Sequence, residues 1–310
     1  MKKAVILGNT RLNYSWFVLT YRQGLQRNGW EVIDMDYKSQ SLNSIKQQLI
    51  SMKPKYVFTH LSFHESVNNI SSVLQMYRDV KNTVGTRFVH TCNDARTIDR
   101  YMGDISDVIY MAFVGTLDLV QNGLAAWNIP VWYAPYSSLC YERMAPPAPD
   151  LMFPMPIFTG GYGSHQDRKN FIDKLLKRNF PLMVISTQSK NDLRHRTPEL
   201  SASAKAIMGL CTGYDTDGYI DVRPFQYLGT GACFISRKFK NMSATIPDEL
   251  YYPFDSYGND GVDQVLEHWE IINKTDTTKI RQKAFDYMQT HHSCHARLAF
   301  VLEKLERDQI

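Results

Sequence analysis

Short apolar runs separated by amphipathic stretches set the pattern of the first 135 residues or so. The runs at 3–7, 30–34, 56–59, 87–91, 108–112 and 131–134 are brief and mostly β-branched or aromatic. Polar or turn residues bound each of them, so each reads as a buried strand. Between them, 15–28, 42–52, 69–81 and 116–127 carry apolar residues at helical spacing. Strand–helix–strand alternation of this kind predicts a parallel sheet with helices on both faces.

The pattern breaks at 145–156, which holds five prolines in twelve residues. Proline has no amide hydrogen and a fixed φ, so this stretch reads as a stiff, extended linker and not as helix or central strand. A second alternating pattern follows. It predicts strands at 157–159, 182–186 and 232–236, and helices at 167–178, 197–208, 222–228, 262–271 and 278–288. A last helix is predicted at 295–308. The amphipathic tail, 278–310, is expected to dock on the protein's own domains. The organisation expected is α/β: two Rossmann-like domains, 1–148 and 157–310, facing across a cleft and followed by a helical C-terminal tail.

Composition agrees with this picture. A chain of 310 residues, 44 % hydrophobic and 21 % charged, is long enough for two packed domains and excludes disordered and fibrous classes. No apolar run approaches a membrane-spanning length, and the apolar stretch 4–7 after Lys2 and Lys3 is too short for a signal-peptide core. Five widely spaced cysteines without a CxxC pair suggest neither a disulfide framework nor a zinc site, so a cytoplasmic location is expected. The net charge of +4 admits a polyanionic partner. However, residues 1–150 hold 15 basic against 12 acidic side chains and 151–310 hold 20 against 19, so no dense basic face is implied.

Three places could carry chemistry. Gly160-Gly161-Tyr162-Gly163-Ser164 follows a predicted strand and precedes a predicted helix. Glycines let a backbone approach an anion, a helix N-terminus attracts one, and His165, Arg168 and Lys169 add charge. Neither the dinucleotide fingerprint nor a P-loop is present. The second place is the stretch 218–236, where Asp221, Arg223 and Gln226 gather at a helix start. A carboxylate, a guanidinium and an amide there suit a ribose or a phosphate. The third is the set of strand ends in the first domain: Gly8-Asn9-Thr10-Arg11, then His60, His64 and Glu65, then His90 and Asp94. Each of these sites can also be read as ordinary turn, cap or packing structure.

The 218–236 stretch resembles the Arg-x-Phe-Glu-Ala-x-Ala-x-Gly-x-x-x-Ile motif of GT-B glycosyltransferases, in particular the group similar to spore maturation protein B. Further pieces agree in order: Asp107-Val-Ile-Tyr110, Val131-Trp-Tyr-Ala-Pro135, Ser201-Ala-Ser-Ala-Lys205 and His292-Ser-Cys-His-Ala-Arg297. The stretch around Asp94 resembles the family's Trp-x-x-Asp-Asp, with His90 in place of Trp.

The resemblance implies a hexosyl or pentosyl transferase that moves a sugar from a nucleotide-sugar to an acceptor hydroxyl. The donor would be held on the second domain, a UDP-sugar foremost, with no cofactor and no metal. It implies diphosphate contacts from Arg223, Arg168 and the loop Gly161, Gly163, Ser164, with Asp221 beside them. Gln226 stands where the family's Glu holds the donor ribose. A base for the acceptor is expected at Asp94, then His64, then His90. The DxD strings Asp34-Met-Asp36 and Asp215-Thr-Asp217 are not expected to bind a metal. The acceptor is open, and one candidate is a hydroxymethylated base in duplex DNA, as in phage DNA modification. Two other classes remain: a non-catalytic nucleotide-sugar or nucleic-acid binding protein on a degenerate GT-B fold, and a nucleotide-sugar epimerase.

Overall fold

The computed structural model describes residues 2–8, 16–60, 69–92, 103–163, 165–185, 196–211 and 214–307. Its first sheet has six strands: β1 (Lys3–Gly8), β2 (Glu31–Asp36), β3 (Tyr56–Thr59), β4 (Arg87–Cys92), β5 (Ile109–Val114) and β6 (Val131–Tyr133). All pair in parallel, in the order β2-β1-β3-β4-β5-β6. The connecting helices include α1 (Trp16–Arg27), α2 (Leu42–Met52), α3 (Ile70–Val84) and α4 (Leu117–Trp127). Alternate strand positions feed two cores. Val5, Leu7 and Val57 pack with Ile45, Tyr77 and Leu119 of α2, α3 and α4. Ala4, Ile6, Tyr56 and Phe58 pack with Phe17, Tyr21 and Leu25 of α1. Burial on both faces is why these strands read as continuous apolar runs and not as alternating ones.

The second sheet holds β7 (Phe153–Thr159), β8 (Met183–Ile185), β9 (Ala204–Gly209), β10 (Phe234–Arg237) and β11 (Tyr252–Phe254). It is also parallel, in the order β11-β10-β9-β7-β8. Its helices are α5 (Gln166–Lys177), α6 (Thr197–Ser203), α7 (Val222–Leu228), α8 (Asn259–Lys274) and α9 (Thr278–His291). One core gathers Phe171, Ile172 and Leu175 of α5 with Val262, Val265 and Ile272 of α8 over Ala206 and Met208 of β9.

The chain forms two units: residues 1–139, 216–219 and 294–310, and residues 140–215 and 220–293. This corrects the expected boundaries. The last helix, α10 (Cys294–Arg307), belongs to the first unit, where Leu298, Val301 and Leu305 join the α1 core. Periodicity shows that such a helix needs an apolar partner but not which sheet supplies it. At Gly24 of α1 a Cβ would lie 2.5 Å from the Cys294 carbonyl oxygen and 2.9 Å from Leu298 Cγ. Gly24→Val is therefore expected to cost about 1–3 kcal/mol through overpacking. Urea unfolding checks this; an unchanged midpoint would contradict the close approach of α1 and α10.

Three further expectations are corrected. Prolines 154 and 156 lie inside β7, an interior strand and not linker. The structure accommodates them because β8 pairs only with Ile157–Thr159 and the ladder to β9 slips between Phe153 and Pro156. The single helix expected at 197–208 stops at Ser203 and continues as β9. Ala202, Ala204 and Ala206 favour a helix locally, but β9 sits between β7 and β10 with ladder partners on both sides, and the sheet overrides propensity. Close packing there needs small residues: a Cβ on Gly209 would meet Phe234 Cζ at 2.5 Å. The edge strand β11 escaped notice because it has three residues and a central proline. Among the described residues no helix is long and apolar enough to cross a membrane.

Candidate functional site

In doubly wound sheets, ligands collect outside the carboxyl ends of the strands, where the strand order reverses. In the second unit that point lies between β7 and β9. Gly160 and Gly161 leave β7 there, and Leu210 and Cys211 leave β9. Helix α5 starts next to the glycines, and the side chain of its N-cap residue, His165, makes no cap bond to it. Arg168, in the first turn of α5, is only 4 % exposed, and its Nη1 donates to the Gly161 carbonyl at 3.1 Å. Lys169 is engaged with Asp173 at 2.9 Å, so of the three basic groups expected at this helix start, Arg168 is the one turned inward.

Asp221 caps α7, accepting from the Arg223 backbone amide at 3.0 Å. The same carboxylate lies 3.3 Å from Arg223 Nη1, which is also 3.5 Å from the Cys211 sulfur. Asp221 is therefore both the cap of α7 and the ion-pair partner of Arg223. Burial is the largest influence and works against the Arg223 charge, but the Asp221 carboxylate together with Cys211 and Tyr227 outweighs it and raises its pKa. Burial, and then repulsion from Arg223, lower the pKa of Arg168. Burial also pushes the Cys211 thiol up to about 12 and the Tyr214 and Tyr257 hydroxyls well above their ordinary value, so all three are neutral at physiological pH. Arg168 and Arg223 thus lie close enough to repel each other, and only Arg223 is paired with Asp221, so positive charge gathers at the switch point, as an anion site requires.

Gln226 donates through Nε2 to Thr197 Oγ1 at 3.1 Å, which fixes its amide and presents its carbonyl oxygen elsewhere. Tyr257 donates to the Cys211 carbonyl at 2.8 Å and bonds the Tyr214 hydroxyl, while Arg237 stacks 4.1 Å from the Tyr214 ring. Sequence reading missed Cys211, Tyr214, Tyr257 and Arg237. Recognising β9 as a strand would have put Cys211 at the sheet edge, but nothing local marks the other three.

In the first unit the order reverses between β1 and β3, which end at Gly8 and Thr59. Asn9, Thr10, Arg11, His64, Glu65 and Asp94 lie outside the described residues, as does Ser164 of the glycine loop. Gly163 is described, and no atom lies near where its Cβ would be. His60 and His90 are 5 % and 4 % exposed, with their rings 5.8 Å apart, and His90 also meets Trp127 edge-on at 5.2 Å. Burial, then the neighbouring His60, pull the His90 pKa down to about 3. So weak a base is a poor proton acceptor near neutral pH, and its surroundings give His90 a packing role.

Of the acidic strings, Asp34 pairs with Arg22, and Asp36 accepts from the Lys38 amide at 2.9 Å. The Asp217 carbonyl accepts from the Leu117 amide at 3.0 Å. Among the described residues no three His, Cys, Asp or Glu side chains come together to hold a metal ion.

No protein-family model matches the sequence, and no curated protein matches it. Solved structures do. An alpha-glucosyltransferase in complex with UDP-glucose and DNA containing an abasic site is similar over 99 % of both chains, with a TM-score of 0.70 at 10 % identity. Sucrose-phosphate synthase from Thermosynechococcus elongatus is similar over 100 % of this chain and 99 % of its own, with a TM-score of 0.64 at 8 % identity. A DNA-modifying beta-glucosyltransferase, solved with and without uridine diphosphoglucose, is similar over 97 % and 98 %, with a TM-score of 0.61 at 14 % identity. Two parallel α/β units and a C-terminal helical stretch, shared with these enzymes over nearly the whole chain, give this protein the fold of the GT-B glycosyltransferases.

Proposed function

We propose that the chain is a glycosyltransferase whose donor is a nucleoside-diphosphate sugar, a UDP-sugar first among them. The observation that carries this reading is the Arg168–Arg223 pair beside the single carboxylate of Asp221 at the switch point of the second sheet. Transfer breaks the bond between the anomeric carbon and the diphosphate oxygen, and negative charge develops on the leaving group. Two preorganised guanidiniums and an uncapped helix start stabilise that charge more in the transition state than in the donor. On this reading no metal is needed, and turnover persists in EDTA. The proton of the acceptor hydroxyl goes to a base of the first unit, Asp94 foremost and His64 next. The resemblance of 218–236 to the motif of the group similar to spore maturation protein B supports the same assignment. A cytoplasmic location is part of this reading, in keeping with five buried cysteine thiols.

For the acceptor we propose a hydroxymethylated base in duplex DNA. The fold shared with a glucosyltransferase bound to DNA and with a DNA-modifying one supports it, as does the mild basicity of the chain. The test is transfer of labelled sugar from a panel of nucleotide-sugars to hydroxymethylated and unmodified duplexes. Affinity for the duplex should fall steeply between low and moderate salt. No transfer to any duplex would exclude this acceptor, while donor hydrolysis without transfer would leave the donor reading intact.

The presence of Gln226 where the motif has Glu favours a second reading, a binding protein without turnover. Gln226→Glu separates the two. A carboxylate there can still accept from Thr197 and would hold ribose hydroxyls by charge-assisted bonds, so the donor KM should fall by up to about tenfold in an active enzyme.

A further inference from the structure

A cavity of about 560 Å³ opens on the first unit at the amino ends of the strands, the edge opposite to its switch point. Arg87, the first residue of β4, lines it, as do Lys81 at the end of α3 and Tyr110 on β5. Asn82, Thr86, Ser106 and Asn128 also line it, and no lining residue is a carboxylate. Of the nearby acids, Asp107 pairs with Arg78, while Asp104, beside the lining, accepts from the Ser106 amide at 2.9 Å and from the Asn128 amide group at 3.5 Å. Lys81 is held at the cavity by donating to the Asp107 carbonyl at 2.6 Å.

The Arg87 guanidinium lies 4.4 Å over the Tyr110 ring and reaches the Tyr56 hydroxyl. Its Nη1 and the Tyr110 hydroxyl are nevertheless buried with no hydrogen-bond partner among the described residues. Buried donors left unsatisfied are costly, so a place where two coincide beside a cavity calls for an acceptor.

We propose that this cavity binds a phosphate group, with Arg87 and Lys81 supplying charge and Asn82 supplying a neutral donor. Two cations without a lining carboxylate select an anion. A tetrahedral oxyanion also has enough acceptor positions for a guanidinium, an ammonium and an amide at once. The volume exceeds that of phosphate alone and suits a phosphate ester, with Tyr110 offering a ring face to the remainder of the ligand. The site is separate from the donor site in the second unit and does not depend on the proposed transfer reaction.

The test is calorimetric titration with inorganic phosphate in an Arg223→Ala background, which disables the other anion site. Binding should persist there. It should weaken about tenfold or more with Lys81→Gln, Arg87→Gln or Asn82→Asp, the last placing a negative charge at the rim. If Arg87→Gln does not fold, the exposed Asn82 and the half-buried Lys81 carry the comparison. Phosphate binding that vanishes with Arg223→Ala alone, or that ignores Lys81→Gln and Asn82→Asp, would overturn the assignment. Repeating the titration with a short unmodified duplex identifies the source. A matching loss in the Lys81→Gln variant assigns the phosphate to a nucleic-acid backbone, and an unchanged duplex affinity assigns it to a free phosphate ester.

Discussion

Replacing Arg223 with alanine is expected to lower kcat/KM for sugar transfer by about a hundred- to a thousandfold, the range found when a preorganised oxyanion donor is removed. The substitution removes one of the two guanidiniums that gather at the switch point and takes away the ion-pair partner of Asp221. The fold should survive because the cap bond runs from the backbone amide of residue 223 to Asp221 and does not involve the guanidinium. Arg223→Lys keeps the charge but not the planar fork, so an intermediate loss is expected. The raised pKa of Arg223 adds a prediction about pH: the anion site stays charged well above neutrality, so donor binding should not titrate away in mildly alkaline buffer. The checks are steady-state kinetics with a UDP-sugar and a parallel melting curve. Wild-type kcat/KM in folded Arg223→Ala protein would remove the central support of the donor assignment.

The second large effect concerns stability in acid. His90 is buried against Trp127 and His60, with its pKa drawn down to about 3, whereas a histidine in the unfolded chain titrates near 6.5. Between those values the unfolded chain binds one proton more than the folded one. Folding stability tied to His90 is therefore complete above about pH 6.5 and is lost progressively as the pH falls toward 3. The limiting loss is on the order of 4–5 kcal/mol, from a shift of about three and a half units at about 1.4 kcal/mol each. His90→Gln keeps a hydrogen-bonding amide and cannot acquire charge in this range. At pH 7 the variant should be the less stable protein, and the gap should close as the pH approaches 4. Denaturant unfolding across that range measures it, and a gap that stays constant with pH would show that His90 is not held neutral by the fold.

The legibility of this chain follows how far apart the interacting residues are. The inner strands of the first unit were readable because they are buried on both faces, and double burial writes itself as a local run such as Val5–Leu7 or Tyr56–Phe58. The helix 222–228 was readable from Asp221, Pro224 and Gly229, which act within one turn of its ends. Arg168 and Arg223 were readable as candidates because each sits at a helix start after a glycine loop or a polar loop.

Other features depend on partners distant in sequence. β9 looks helical until β7 and β10 claim its backbone, and α10 closes the first unit because Gly24 admits it. Arg168 came beside Arg223, and His90 under Trp127, only through the fold. Local periodicity and turn chemistry determined the two α/β patterns and the basic groups that could meet a phosphate. Only tertiary structure decided which charges are compensated, because compensation depends on burial and on neighbours that the chain brings together across many residues.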